Sequence, residues 1–313
     1  MAQRSKSPAR HPTVIAVVGA SAGGLEALQS LFASMQVRID IAFLVVQHRM
    51  PGHESLLVDL IARHTGLPVC EGADGMVLSP GQVVLAPAGQ PTWIENGHLR
   101  VAAEPGLDRI ALPIDRILRS LAESCGEAGI AVILSGAGHD GALGVRAVKE
   151  AGGLIIAQEP GTAGMDLMPR AAIDTGCVDL ILPPDRIGAA LLDYVAHPYM
   201  AGGAEEGSGN AETQRILDQI VALLLTKTRI SFRDYKRRTM ARRIERRMGI
   251  CRIATMSAYL HHLRTSPGEP EALVQDLLIS VTRFFRDQAS FDALRQSVIE
   301  PLVASHDRNT PIR

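Results

Sequence analysis

The fold of this chain is decided near its amino terminus by the stretch Val14-Ile-Ala-Val-Val-Gly-Ala-Ser21-Ala-Gly-Gly24. The β-branched run before Gly19 predicts a buried strand, and the leucines that follow at helical spacing predict the core-facing stripe of a helix. The turn between them fits the G-x-S-x-G pattern, in which glycines on both sides of a serine permit a sharp strand-to-helix turn. The Ser21 hydroxyl would then stand above the sheet edge at a helix N-terminus, where the helix dipole favours negative charge.

The same turn has two other interpretations from the residues alone. Ser21 could cap the following helix, and a glycine-rich first turn of an α/β domain often holds a nucleotide phosphate. The usual nucleotide fingerprints do not match, because Ser21 takes the place of the second glycine of G-x-G-x-x-G and no Lys-Ser/Thr pair ends the loop. A phosphate-binding or nucleotide-binding module therefore remains the alternative to a nucleophilic serine.

Composition places the chain among soluble globular proteins with room for two domains. Of its 313 residues, 46% are hydrophobic and 21% are charged. No apolar run approaches the length of a membrane span and no secretory signal is visible, so we expect a cytoplasmic protein without membrane insertion. Its four cysteines, Cys70, Cys125, Cys177 and Cys251, show no C-x-x-C pairing. This spacing indicates neither a zinc site nor a disulfide framework, and we expect no metal and no cofactor.

Beyond the first strand and helix, strand and helix patterns keep alternating. Buried-strand runs occur at residues 41–46, 129–134, 154–157 and 178–182, and each is followed by an apolar helical pattern. Such repetition predicts an α/β fold with a doubly wound, mainly parallel sheet. Between residues 67 and 101, short strands alternate with turn signals, of which Asn96-Gly97 is the strongest hairpin signal. This region predicts a small antiparallel insertion beside the parallel sheet.

The chain divides into four predicted segments: a disordered basic tail over residues 1–12, the α/β domain over 13–197, a glycine-rich linker over 198–211 and a small all-α domain over 212–313. The linker lacks apolar periodicity, and beyond it apolar residues recur only at helical spacing. Acidic residues outnumber basic ones before the all-α domain, whereas basic residues are in excess within it. This asymmetry indicates two domains with different partners.

Three polar residues follow predicted parallel strands: Ser21, His48 and Asp140. Because the carboxyl ends of parallel strands meet at one edge of a sheet, the fold could bring together an alcohol, an imidazole and a carboxylate that orients it. Their order in the chain differs from the Ser, Asp, His order of α/β-hydrolases. Structural roles stay open, since His48 could be a strand-end histidine, Asp140 could be a turn or cap residue, and His139 is a competing base.

Five motifs in this part of the chain occur in the order Gly19-Ala-Ser21-Ala-Gly-Gly24, Gln47-His48-Arg-Met-Pro51, Ala86-Pro-Ala-Gly89, Ser135-Gly-Ala-Gly-His-Asp140-Gly141 and Met168-Pro-Arg170. Over residues 13–195 this series resembles the chemoreceptor protein-glutamate methylesterase family, CheB. The resemblance implies that Ser21 is the nucleophile, His48 the general base and Asp140 its orienter. It also implies hydrolysis of glutamate γ-methyl esters on the methylated helical region of a chemoreceptor-like protein, with glutamine deamidation as a related reaction.

The backbone amides of Ala22 and Ala137 are the candidate oxyanion donors for such a reaction. The family usually has threonine and methionine at these two positions, so a catalytically weak scaffold is a further alternative. The family's usual form also carries an amino-terminal receiver domain, whereas only twelve residues precede the first strand here. We therefore expect no regulation by aspartyl phosphate on this chain.

Two stretches of the helical part, Tyr235-Lys-Arg-Arg-Thr-Met-Ala-Arg-Arg-Ile-Glu-Arg-Arg-Met248 and Leu277-Leu-Ile-Ser-Val-Thr-Arg-Phe-Phe-Arg-Asp287, are distinctive. They resemble the amino-terminal helical domain of the receptor methyltransferase family, CheR. The resemblance implies that the rest of a methyltransferase is a partner of this domain. The S-adenosylmethionine-binding domain is not part of the sequence, so we expect no transferase activity.

The basic helix within this resemblance is a candidate docking surface for an acidic receptor helix or for a partner domain of the full protein. From charge alone, a merely solvated face is an equal alternative. Nucleic-acid binding is not expected, because stacking aromatic residues are not interleaved with the arginines. The predicted partner-binding residues are Arg238, Arg242, Arg243, Arg246 and Arg247.

Overall fold

The computed structural model of the chain describes residues 13–35, 39–48, 56–102, 112–200, 211–278 and 293–300. The predicted tail and most of the predicted linker lie outside these ranges. One compact unit extends to Ile279 and a second begins at Ser280. Within the second unit, Arg295–Ile299 forms a short π-helix.

A seven-stranded sheet forms the centre of the α/β domain, and all its neighbouring strands are parallel. Its strands are β1 (Val14–Ala20), β2 (Ile41–Gln47), β3 (Val69–Glu71), β4 (Val83–Leu85), β7 (Gly129–Ile133), β8 (Leu154–Gln158) and β9 (Leu180–Leu182), and a separate pair is formed by β5 (Thr92–Glu95) and β6 (His98–Val101). The order across the sheet is β3-β4-β2-β1-β7-β8-β9. This order is that of a doubly wound sheet, in which the chain starts at the centre and builds outward in both directions.

Helices cover both faces of this sheet. They are α1 (Gly24–Ala33), α2 (Leu57–Ala62), α3 (Pro113–Cys125), α4 (Ala142–Glu150), α5 (Leu167–Asp174) and α6 (Pro184–Ala196), with short 3₁₀ turns at Gly126–Ala128 and Pro160–Thr162. Successive residues of a strand point to opposite faces. In β1, Ala16 and Val18 therefore pack with α1 and α6, whereas Ile15 and Val17 pack with α3 and α4. The continuous apolar run of β1 reflects burial on both faces.

The antiparallel part of the domain is smaller than the turn signals predict. Among the described residues, β5 and β6 form the antiparallel strand pair, across a turn in which Asn96 and Gly97 both have positive φ, and Val77 adds an isolated antiparallel bridge to His98. Extending the insertion back to residue 67 is wrong, because β3 and β4 join the main sheet in parallel, with Val83 opposite Phe43. Short strands flanked by turns have the same local sequence pattern whether they pair in parallel or antiparallel. The strand that each one pairs with, far away in the chain, determines the direction.

The second predicted domain is helical throughout its described part. Its helices are α7 (Ala211–Thr228), α8 (Arg237–Ile250), α9 (Met256–Thr265) and α10 (Glu269–Leu278), around a common apolar core. The predicted fold class, a doubly wound parallel sheet with a small antiparallel insertion followed by an all-α region, is confirmed. Among the described residues, no helix combines the length and the apolar character needed to cross a lipid bilayer.

Candidate active site

Ser21 directly follows β1, in a turn whose geometry depends on glycine. Gly23 has φ of 70°, a conformation that residues with a side chain rarely adopt. A Cβ atom on Gly24 would lie 2.7 Å from the Cβ of Ala20. The Ser21 amide donates a hydrogen bond to the Ser135 carbonyl at 2.9 Å, which joins the turn after β1 to the turn after β7. The sequence thus places a half-buried serine three residues before the start of α1.

His48 and Asp140 lie at the same edge of the sheet and are in contact. The Nε2 atom of His48 is 2.9 Å from Oδ2 of Asp140. The aspartate is 2% exposed and the histidine side chain 31% exposed. Because a carboxylate can only accept, Nε2 carries the proton of this bond and Nδ1 is left as the ring nitrogen that can take a proton. The predicted base and orienter are therefore brought together.

The Asp140 carboxylate is also held by backbone amides at the start of α3. Ile114 N donates to Oδ2 at 3.0 Å and Asp115 N donates to Oδ1 at 2.9 Å. The first amides of a helix have no partner within the helix, and the positive end of its dipole favours an anion. With His48, three N–H donors thus fix the orientation of this carboxylate.

The Ser21 hydroxyl does not reach His48 within hydrogen-bond distance among the described residues. Contacts between nucleophile and base are often loose until a substrate binds. The turns that carry Ser21 and Asp140 are nevertheless in close contact, because a Cβ atom on Gly136 would lie 2.9 Å from the Cβ of Ser21. The predicted oxyanion donors flank this contact: Ala22 and Ala137 are exposed, and neither amide donates a hydrogen bond within the described residues.

Ser135 is a supporting residue whose side-chain role was not predicted from the sequence. It is buried, its amide donates to Oε1 of Gln158 at 2.8 Å, and its hydroxyl donates to the carbonyl of Ala22 at 3.0 Å. The hydroxyl also accepts a hydrogen bond from the amide of Met165 at 2.9 Å. Ser135 thereby ties together the turns after β1 and β7 and the segment before α5. Its place in the glycine-rich motif was the only sequence signal for this role.

Gly136→Ala is expected to damage this site. The new methyl group would press on both Ser21 and the side chain of Met168, and overpacking of this kind costs about 1–3 kcal/mol. Gly161→Ala is the matched control, because a Cβ atom there meets nothing within 4 Å. Thermal unfolding and esterase assays of both variants would measure the difference. Equal melting temperatures and equal activities of the two variants would show that the turn at Gly136 can accommodate a methyl group.

The five predicted partner-binding arginines do not form one exposed surface. Arg246 is 1% exposed and lies inside the protein. Its Nη1 atom is 2.6 Å from Asp276 of α10, and its Nη2 atom is 2.6 Å from Asp179, just before β9. Lys149 of α4 pairs with the same two aspartates. We call these four residues the interdomain network, since Arg246 and Asp276 belong to the helical domain and Lys149 and Asp179 to the α/β domain.

Arg247 is also buried, and it binds Glu269 of α10 through Nε and Nη2. Arg242 binds Glu127 of the α/β domain, which also accepts a hydrogen bond from Tyr199. The prediction of a docking face is therefore wrong for Arg246 and Arg247, because both guanidinium groups are enclosed with carboxylates of this chain. Arg238 is exposed and Arg243 is half-buried, so a partner could still reach these two side chains.

Cys251, His262 and Glu269 form a cluster in the helical domain whose side-chain atoms lie within 4.8 Å of one another. The arrangement does not suit a metal ion. Both carboxylate oxygens of Glu269 already bind Arg247, and Tyr259 donates to one of them at 2.6 Å. Burial and the neighbouring glutamate raise the pKa of the Cys251 thiol to about 12, so the thiolate that binds metals is disfavoured. The cluster stabilises the packing of α8, α9 and α10.

Comparison with protein families agrees with this architecture. The family model described as CheB methylesterase matches residues 16–191, and the model described as CheR methyltransferase, all-alpha domain, matches residues 216–278. The crystal structure of the CheB methylesterase catalytic domain of Thermotoga maritima superposes with a TM-score of 0.52 at 31% sequence identity. The superposed region covers 57% of this chain and 96% of the Thermotoga maritima chain.

Two curated relatives show how the chain relates to longer proteins. A 104.1 kDa protein of Rhodobacter capsulatus, named as uncharacterized, is 40% identical over 270 residues, which are 79% of this chain and 28% of that protein. The protein-glutamate methylesterase/protein-glutamine glutaminase of Moorella thermoacetica is 34% identical over 200 residues, which are 62% of this chain and 47% of that protein. The chain thus spans about half or less of these relatives. From the extent of the family match, this chain belongs to the CheB methylesterase family, and a CheR-type all-alpha domain follows its esterase domain.

Proposed function

We propose that residues 13–197 are a catalytic domain that hydrolyses glutamate γ-methyl esters on a chemoreceptor-like protein and releases methanol. Deamidation of glutamine side chains is the related reaction of the same site. The observation that carries the proposal is the contact of His48 with Asp140 at the sheet edge where Ser21 also lies. Family membership and the name of the Moorella relative support the same chemistry.

In the first step, the Ser21 hydroxyl attacks the ester carbonyl carbon while Nδ1 of His48 accepts its proton. Asp140 stabilises the resulting imidazolium through its bond to Nε2. The carbonyl oxygen becomes an oxyanion, for which the exposed amides of Ala22 and Ala137 are the proposed donors. Collapse of the tetrahedral intermediate expels methoxide, which takes the proton from His48 and leaves as methanol.

In the second step, water attacks the acyl-enzyme on Ser21. His48 accepts a proton from the water and then returns it to the serine oxygen, so glutamate is released and the enzyme is restored. A glutamine substrate follows the same route, with ammonia in place of methanol. None of these steps requires a metal or cofactor.

Apolar side chains near this edge suit a protein substrate. Leu143 in the first turn of α4, Met165 just before α5 and Leu167 at its start are each between 42% and 51% exposed. The backbone of Met165 bonds to Gly136, which in turn contacts Ser21. An amphipathic receptor helix that carries methylated glutamates would cover these side chains. The proposal places the reaction in the cytoplasm, with the rest of a methyltransferase as a further partner of the helical domain.

The test is release of labelled methanol from a chemoreceptor fragment whose glutamates carry isotopically labelled methyl esters. We expect the chain to release methanol and to leave free glutamates, which mass spectrometry detects as loss of one methylene mass per site. A fragment with unmethylated glutamates is the control. If the folded chain releases none, while a nucleotide raises its melting temperature by mass action, the nucleotide-binding alternative replaces the esterase. If the chain neither releases methanol nor is stabilised by a nucleotide, the catalytically weak scaffold is the favoured alternative.

A further inference from the structure

Helices α3 and α4 begin side by side at the catalytic edge, and neither has a capping side chain of its own. Their N-cap residues are Leu112 and Gly141, and neither supplies a side-chain hydrogen bond. Such helix starts normally need an acceptor for their free amides. In this protein a carboxylate just before α4 supplies the acceptor for α3, and a carboxylate in α3 supplies the acceptor for α4.

The two acceptors are Asp140 and Asp115. Asp140, two residues before α4, accepts from the amides of Ile114 and Asp115 at the start of α3. Asp115, in the first turn of α3, accepts through Oδ1 from the amide of Gly144 in the first turn of α4, at 2.6 Å. We call this arrangement the carboxylate exchange. It links the position of Asp140 to the position of Asp115.

The close approach of the two helices makes the exchange possible. A Cβ atom on Gly144 would lie 2.9 Å from Cδ1 of Leu118 and 3.1 Å from Cα of Asp115. Only glycine therefore allows the backbone of α4 to come within reach of the short aspartate side chain. Any residue with a side chain in place of Gly144 would push the helices apart and break the bond between Asp115 and the amide at position 144.

We propose that Asp115 is a positioning residue, which holds Asp140 in the orientation that its bond to His48 requires. The inference deepens the proposed function and rests on it. Asp115 is 3% exposed, and its second oxygen, Oδ2, has no hydrogen-bond partner among the described residues. Its Oδ1 accepts from the amide of Gly144, the amide of Leu143 lies close by, and both amides belong to the first turn of α4.

The role proposed for Asp115 needs an acceptor oxygen and no particular charge. Burial, together with the nearby Asp140 carboxylate, raises the pKa of Asp115, although the Gly144 amide and the charge of Arg119 act in the opposite direction. The neutral acid would still accept from Gly144 through its carbonyl oxygen and would not repel Asp140. An asparagine, which has the same acceptor and no charge, should therefore replace Asp115, whereas alanine should not.

The experiment compares Asp115→Asn and Asp115→Ala, with Leu191→Ala as a control. Leu191 is fully buried in α6 on the opposite face of the sheet, so its truncation destabilises the fold without touching the exchange. The first measurement is the proton NMR signal of the Nε2–H of His48, assigned by its loss in His48→Gln. We expect this signal to be retained in Asp115→Asn and in Leu191→Ala, and to shift or broaden in Asp115→Ala.

The second measurement is kcat and KM for methanol release. We expect Asp115→Ala to lower kcat by about 10- to 100-fold at nearly unchanged KM, because small misplacements of a catalytic group have effects of this size. Asp115→Asn should restore kcat to within a few-fold of the native value. The proposal is overturned if Asp115→Ala keeps both the signal and kcat, or if Asp115→Asn behaves like Asp115→Ala. Since the NMR signal needs no substrate, a chain without esterase activity would still reveal whether Asp115 positions Asp140.

Discussion

Replacing Ser21 with alanine should lower the turnover of methanol release by about 10⁶-fold and leave the fold intact. The size of this loss follows from the role of the hydroxyl, because without a nucleophile no acyl-enzyme forms and only binding and the oxyanion donors remain. The fold should survive because the contacts of Ser21 with the rest of the turn are made by its backbone. Labelled methanol release and thermal unfolding of the same preparation measure the two effects.

Ser30→Ala is the matched control for this experiment. Ser30 is a half-buried serine on α1, beyond the glycine-rich turn, so its loss should leave turnover unchanged. An active Ser21→Ala variant would show that another group is the nucleophile, or that water attacks the ester directly. In either case the proposed covalent route would have to be abandoned.

Arg246→Ala should destabilise the chain by about 3–5 kcal/mol, the usual cost of removing one partner from a buried ion pair. The substitution leaves Asp179 and Asp276 buried, with Lys149 as the remaining ion-pair partner of both among the described residues, and it also removes the donor to the carbonyl of Gly152. Such a loss is a large fraction of the stability of a typical domain. Denaturant unfolding would measure it, and hydrogen exchange would show protection falling in α8 and α10.

Arg238→Ala on the same helix is the control, because that side chain is exposed and surface substitutions have small effects. Arg246→Lys should fall between the two, since it keeps the charge but loses the forked contacts with both carboxylates. Equal unfolding curves for Arg246→Ala and Arg238→Ala would contradict the importance of the interdomain network.

Acid should weaken the same network. Burial alone would raise the pKa of Asp179, but Arg246 and Lys149 hold it below its usual value. A carboxylate with a lowered pKa in the folded state contributes stability at neutral pH, and that contribution declines as the pH falls below about 4, the unfolded value. The difference between native and Arg246→Ala chains should therefore be largest near neutral pH.

The sequence was informative wherever local chemistry determines structure. The apolar run of β1 and the glycines around Ser21 predicted the first strand, its turn and the helix behind it, and the structure contains all three. The places of His48 and Asp140 at strand ends were predictable for the same reason, because parallel strands share one edge. The contact between them was an expectation from the resemblance to the CheB family, since the residues alone left structural roles open for both.

Long-range features were not predictable in this way. Nothing local in β3 or β4 reveals a parallel partner, and nothing in the basic helix separates buried Arg246 from exposed Arg238. Asp115 was missed because one acidic residue in the first turn of a helix is an ordinary feature. Its importance arises only from Gly144, 29 residues later in the chain, which the fold brings within 2.6 Å.

The interdomain network lies at the opposite end of the strands from Ser21. Gly152 and Asp179 precede β8 and β9, so the helical domain is fixed where the strands begin, whereas Ser21, His48 and Asp140 lie where strands end. A five-residue strand such as β8 spans roughly 16 Å. A molecule bound to the helical domain at this end of the sheet would therefore have to extend over about the length of a strand to reach Ser21 as well.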